Sequence, residues 1–231
     1  MKTNDQELLI VFAREPVPGV GKTRLAADTD PAYAHAVYKR LLARTLRLAH
    51  RFVRSRQESP GCQLLVAGDW EGETLDTTSY LQQFCRHADS RLRAQSAADL
   101  GARMAEAFAY GFEQGFERIV LMGCDCPTLT NADLCVAFDQ LESHDTVIAP
   151  TADGGYCLIG LTGPAPALFE SMTWSVPTVF SETIARAANR RVARLGEQHD
   201  IDTLSDWQRW CEQRASRGLA EALAGYPSES L

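Results

Sequence analysis

Arg118-Ile-Val-Leu-Met-Gly-Cys-Asp-Cys-Pro-Thr-Leu-Thr130 is the stretch from which the fold can be read. Residues 119 to 123 are apolar or small throughout, the pattern of a strand covered on both faces, and Asp125 follows where such a strand ends. Pro127 stops the strand, and Thr130-Asn-Ala-Asp133 has the form of a capping box opening a helix. Ligands of open α/β sheets bind beyond the carboxyl ends of the strands, so a carboxylate delivered there is a candidate cation ligand.

Similar apolar runs occur at 7–13, 63–68, 146–150 and 156–161, with shorter strands expected at 91–95 and 191–195. Helices are expected over 74–86, 98–115, 131–141, 177–189 and 204–214. Another opens at Asp30-Pro31, where a cap precedes proline. In that helix Ala34, Val37, Tyr38, Leu41, Leu42, Thr45, Leu48, Ala49 and Phe52 recur at helical spacing. Lys39, Arg40, Arg44, Arg47, Arg51 and Arg54 lie on the other face, which reads as solvated; a surface for an anionic partner is the alternative. Strands alternating with helices imply an α/β fold, a mostly parallel sheet covered by helices on both faces. One domain is expected over 1–226, with 227–231 a frayed tail.

A chain of 231 residues that is 45% hydrophobic can bury a large core, and its net charge of −7 argues against generic nucleic-acid binding. The polar N-terminus carries no leader pattern, and no stretch approaches the roughly 18 apolar residues of a membrane span. Seven cysteines without a disulfide framework imply reduced thiols and a cytoplasmic protein.

The loop at 14–25 contains two prolines and two glycines, with Lys22 and Arg24 at its exit. Gly19-Val-Gly-Lys-Thr suggests a P-loop, but that motif needs a glycine where Pro16 stands, and proline has a fixed φ and no N–H to donate. A P-loop ATPase or nucleotide-binding module is therefore a lesser alternative. Lys22 and Arg24 suit phosphate in any case, one as a point charge and one as a fork. Mg²⁺ takes one or two carboxylates besides phosphates and water, so Asp125 needs a second carboxylate. Asp153, in the turn Thr151-Ala-Asp-Gly-Gly155, and Asp202, in His199-Asp-Ile-Asp-Thr203, are the candidates; a hairpin turn and a helix cap are their ordinary roles. The cysteines around Asp125 lack zinc spacing, and the histidines form no cluster.

Taken together, Phe12-Ala-Arg-Glu-Pro-Val-Pro-Gly19, Lys22-Thr-Arg-Leu25, Leu100-Gly-Ala-Arg-Met104, Gly123-Cys-Asp-Cys-Pro127, Asp153-Gly-Gly-Tyr156 and Asp200-Ile-Asp-Thr203 resemble a bacterial family. It is the family of arsenosugar-biosynthesis or radical-SAM/selenodomain-associated glycosyltransferases, similar to the nucleotide-diphospho-sugar transferase (GT-A) superfamily. Lys22-Thr-Arg-Leu25 also looks like the corresponding loop of 2-phospholactate guanylyltransferases. Arg14 stands where a lysine is usual, Cys124 where a serine is usual, and Gly21 where a larger residue is usual.

The resemblance implies a GT-A-like domain with nucleotide contacts from Ala13, Arg14, Gly19, Gly21, Lys22, Arg24, Arg103, Gly123 and Asp125. It implies Mg²⁺ or Mn²⁺ on Asp125 and Asp202, and an acceptor site at Gly154, Gly155 and Tyr156. Asp153, Lys22 and Arg24 would be catalytic. The expected partners are a nucleotide or nucleotide-sugar and a small-molecule acceptor. Glycosyl transfer from a nucleoside-diphosphate sugar is expected first; nucleotidyl transfer from an NTP, with release of pyrophosphate, is the alternative.

Overall fold

A computed structural model describes residues 7–56, 62–69, 79–88, 90–95 and 99–216. Its sheet has the order β3-β2-β1-β4-β6-β5-β7. These strands are β1 Glu7–Arg14, β2 Gln63–Asp69, β3 Arg91–Ala94, β4 Arg118–Met122, β5 Thr146–Pro150, β6 Tyr156–Leu161 and β7 Val192–Arg194. β6 alone runs antiparallel to its neighbours β4 and β5; the other pairings are parallel. The tight turn at 151–155 permits this reversal, because two strands joined so closely can pair only as a hairpin.

β1 shows why the centres of the inner strands are apolar. Leu9, Val11 and Ala13 enter the core on one face of the sheet, and Leu8 and Ile10 enter the core on the other. The first face is covered by α2 Pro31–Ser55, α3 Tyr80–Ala88 and α5 Asn131–Gln140. The second is covered by α4 Leu100–Glu113, α6 Val179–Arg186 and the 3₁₀ turn Pro166–Leu168. A third cluster joins α1 Thr23–Asp28 to α2 and to α7 Leu204–Ser216 through Leu25, Leu41, Trp207 and Trp210. No described helix is long and apolar enough to cross a membrane.

Several boundaries differ from those expected. Thr23–Asp28 is helical rather than part of the loop, because Leu25 is fully buried against α2 and ties the turn down. Helix α6 starts at Val179, two residues beyond the proline, after Ser175 takes a left-handed φ of 64°. α3 is described from Tyr80; the first part of the expected 74–86 helix and the tail at 227–231 lie outside the described residues. The basic face of α2 is not wholly solvated. Arg44 turns back to donate to the carbonyls of Pro127 (2.7 Å) and Leu129 (3.4 Å), and so braces the turn that follows Asp125.

Candidate active site

The carboxyl ends of β1 and β4 open into a cavity of about 590 Å³. The loop after β1 forms one wall. Tyr38 of α2, nearly buried, fixes its root: its hydroxyl accepts from the Arg14 N–H at 2.8 Å and donates to the Arg14 carbonyl at 2.9 Å. Glu15 turns away and caps α3, accepting from Ser79 Oγ at 2.9 Å and from the amides of Tyr80 and Leu81. The loop then runs through Gly19 (φ 79°) and Gly21 (φ 81°) to Lys22, itself left-handed at φ 49°.

Asp125 lies past the end of β4. Behind it the buried Cys124 thiol donates to the Phe12 carbonyl at 3.2 Å, a bond that a serine at this position could also make. The thiol is held neutral by burial, which raises its pKa, with the Asp125 charge adding to the effect. Asp202 arrives from the far end of the chain. The Ile201 N–H donates to the Asp125 carbonyl at 3.0 Å and so joins the two segments.

Both carboxylates meet on Lys22. Its ammonium is 2.8 Å from Asp125 Oδ1 and 3.1 Å from Asp202 Oδ1, and it donates to the Ile201 carbonyl. Burial opposes the charge on Lys22, but Asp125 and Asp202 outweigh it and raise the pKa. Arg24 reaches Asp202 Oδ2 at 3.4 Å. Asp153 lines the cavity, its Oδ1 accepting from Thr151 Oγ1 at 2.6 Å and from the Gly155 N–H at 3.0 Å. Asp200 completes the cluster. Burial first, then the charges of Asp153 and Asp202, push its carboxyl up to about 6.

The residues expected to contact nucleotide are distributed unevenly. Ala13, Arg14, Gly21, Lys22, Arg103, Gly123 and Asp125 line the 590 Å³ cavity. Gly19 does not, and Arg24 faces a smaller neighbouring cavity of about 270 Å³ on the far side of Asp153, Asp200 and Asp202. Gly155 and Tyr156 line the main cavity, Tyr156 edge-on to Trp174 with ring centroids 6.5 Å apart. Gly154 packs elsewhere: a Cβ there would stand 2.1 Å from the Pro177 carbonyl oxygen. The places of Tyr38, Arg44 and Asp200 at the site depend on how distant segments pack, which local sequence patterns do not show.

Two converging carboxylates fit a hard divalent cation, whose preferred ligands are oxygens. Among the described residues no group of three His, Cys, Asp or Glu side chains could hold one alone. A cation on Asp125 and Asp202 would therefore draw further oxygens from a ligand or water.

The sheet and the nucleotide-sized cavity at its carboxyl edge define an α/β domain with the fold of the nucleotide-diphospho-sugar transferases. A protein from Desulfovibrio desulfuricans G20, provisionally assigned as such a transferase, superposes with a TM-score of 0.81 at 25% identity, over 94% of this chain and 90% of that one. CMP:2-keto-3-deoxy-manno-octonic acid synthetase, solved with CTP, shares the fold at 12% identity and a TM-score of 0.52, over 92% of this chain and 99% of that one. So does 4-diphosphocytidyl-2C-methyl-D-erythritol synthase from Anaerococcus prevotii DSM 20548, at 10% identity and 0.53, over 88% and 95%. Residues 47–176 match the family described as "uncharacterized protein conserved in bacteria" (DUF2064), and the chain belongs to that family. No curated protein matches it in sequence.

Proposed function

We propose that the protein is a metal-dependent glycosyltransferase with a nucleoside-diphosphate sugar as donor. One observation carries this reading: Asp125 and Asp202, from distant parts of the chain, converge on the Lys22 ammonium beside the 590 Å³ cavity. The likeness to the Desulfovibrio transferase supports it. The kinship with arsenosugar-associated and radical-SAM-associated transferases rests on the motifs alone.

Asp125 and Asp202 would hold Mg²⁺ or Mn²⁺, which when bound supplies positive charge to a departing diphosphate. Lys22 would add positive charge at this pair, and Arg24 at Asp202. Asp153, its Oδ1 held by Thr151 and Gly155, would orient an acceptor hydroxyl and take its proton through Oδ2. Gly155 and Tyr156 border the space that an acceptor would enter.

The test is turnover of a panel of nucleotide-sugars with Mn²⁺, by wild type and by Asp125→Ala. Loss of a main electrostatic contact lowers the rate by roughly 10²–10³, and turnover within a few-fold of wild type rejects the metal role. Nucleotidyl transfer is the second reading, favoured by the Lys22-Thr-Arg-Leu25 run at the same cavity. Pyrophosphate released from an NTP selects it over glycosyl transfer.

A further inference from the structure

Lys22 stands at the point where the proposed cation would bind. An ammonium has three N–H donors. Here they go to Asp125 Oδ1, Asp202 Oδ1 and the Ile201 carbonyl, so none is left for a phosphate oxygen. The side chain is only 5% exposed and cannot be regarded as a loose surface lysine. A divalent cation seeks the same carboxylate oxygens, and two positive charges that close together repel strongly in a part-buried site. While these contacts persist, Lys22 has no donor for a phosphate, and a cation must compete with it for Oδ1 of both carboxylates.

The loop that leads to Lys22 is open around its two glycines. Lys22 itself holds a left-handed φ of 49°, which a side chain rarely adopts unless contacts enforce it. Gly21 before it has φ 81°, and neither Gly19 nor Gly21 has an atom within 4 Å of the position a Cβ would take. The Lys22 carbonyl accepts from the Ala26 N–H at 2.9 Å, so α1 holds its backbone and the ammonium contacts fix the side chain.

We propose that Lys22 and the divalent cation hold the Asp125–Asp202 pair in turn. In the nucleotide-free protein the ammonium keeps the pair closed; when nucleotide arrives, Lys22 moves to its phosphates and releases the pair to the cation. The inference rests on the metal-and-nucleotide reading above and adds an order to it: cation and nucleotide bind together, and the cation alone binds poorly. The need for ligand oxygens fits this order, since among the described residues no three-residue metal group exists.

The experiment is a titration of nucleotide-free protein with Mn²⁺, read by the EPR signal of the free ion. Lys22→Met keeps the bulk of the side chain and removes the charge. It is expected to bind Mn²⁺ at least about tenfold more tightly than wild type, and Asp125→Asn added to it should abolish the gain. Lys22→Gly, which suits the left-handed backbone, should behave alike and covers the case in which the methionine variant folds poorly. Equal or weaker Mn²⁺ binding by both variants overturns the exchange. Thermal shift with Mn²⁺ and the common nucleoside diphosphates then separates the causes. If wild type is still stabilised by the two together, the metal reading survives without the exchange; if it is not, both fall.

Discussion

Ile201 donates its backbone N–H to the Asp125 carbonyl at 3.0 Å and, with the contacts of Gln198 and His199 to Thr128, holds the C-terminal segment at the end of β4. These contacts bring Asp202 and Asp125 to the same lysine. The ion pairs should be energetically coupled even without ligand. Asp125 is half exposed, so its share is modest, about 1 kcal/mol after allowance for solvent screening. Urea unfolding of Lys22→Met, Asp125→Asn and the double variant is expected to show the double variant less destabilised than the sum of the singles. Strict additivity would show that the pair contributes nothing to the folded state.

Tyr38→Phe should loosen the first loop without touching any charged group. The hydroxyl bonds both the N–H and the carbonyl of Arg14 in a nearly buried position. Its loss should cost about 1–2 kcal/mol by denaturant unfolding. Amide exchange over residues 14–22 should accelerate with it. A variant with unchanged exchange there would show that the loop is held by other contacts.

Much of the sheet is legible in the sequence because strands covered on both faces must be apolar along their centres, as at 119–122 and 147–149. Asp125 is legible for the same reason, as the first carboxylate after such a run. Asp202 is not. Its local pattern reads equally well as a helix cap, and only the resemblance singles it out. The capping carboxylate is in fact Asp206, which accepts from the Thr203 N–H at 2.9 Å and so leaves Asp202 to Lys22 and Arg24. Arg44 and Tyr38 were hidden by a different limit. Helical periodicity assigns each residue to a face, but it cannot tell what an arginine on that face can reach once α2 lies against the turn after β4.

His35 gives the loop a pH dependence. Its pKa is lowered, first by burial and then by the Lys39 charge, although its hydrogen bond to the Val17 carbonyl works the other way. The fold thus favours the neutral ring. As pH falls through the ordinary value of 6.5, the unfolded chain takes up a proton more readily than the folded one, and stability is lost. Urea midpoints measured at pH 7.5 and pH 5.5 should therefore fall less in His35→Gln than in wild type. An equal fall in the two proteins would remove His35 from the acid response.

Gly154→Ala should damage the turn that carries Asp153, through geometry alone. Gly154 has φ 89°, a region costly for any residue with a side chain. A methyl there would also sit 2.1 Å from the Pro177 carbonyl oxygen, which is backbone and cannot rotate aside. Gly154 in turn accepts from the Phe180 N–H at 2.9 Å, so any shift moves the first turn of α6 as well. The two effects together should cost about 2–4 kcal/mol, the range of backbone strain added to overpacking. A drop in Tm with secondary structure intact is the expected result. Because Asp153 Oδ1 is fixed by the Gly155 N–H, turnover should fall further than the loss of folded protein explains. A variant of wild-type stability would show that the 154–177 contact yields freely, and that Asp153 does not depend on it for its position.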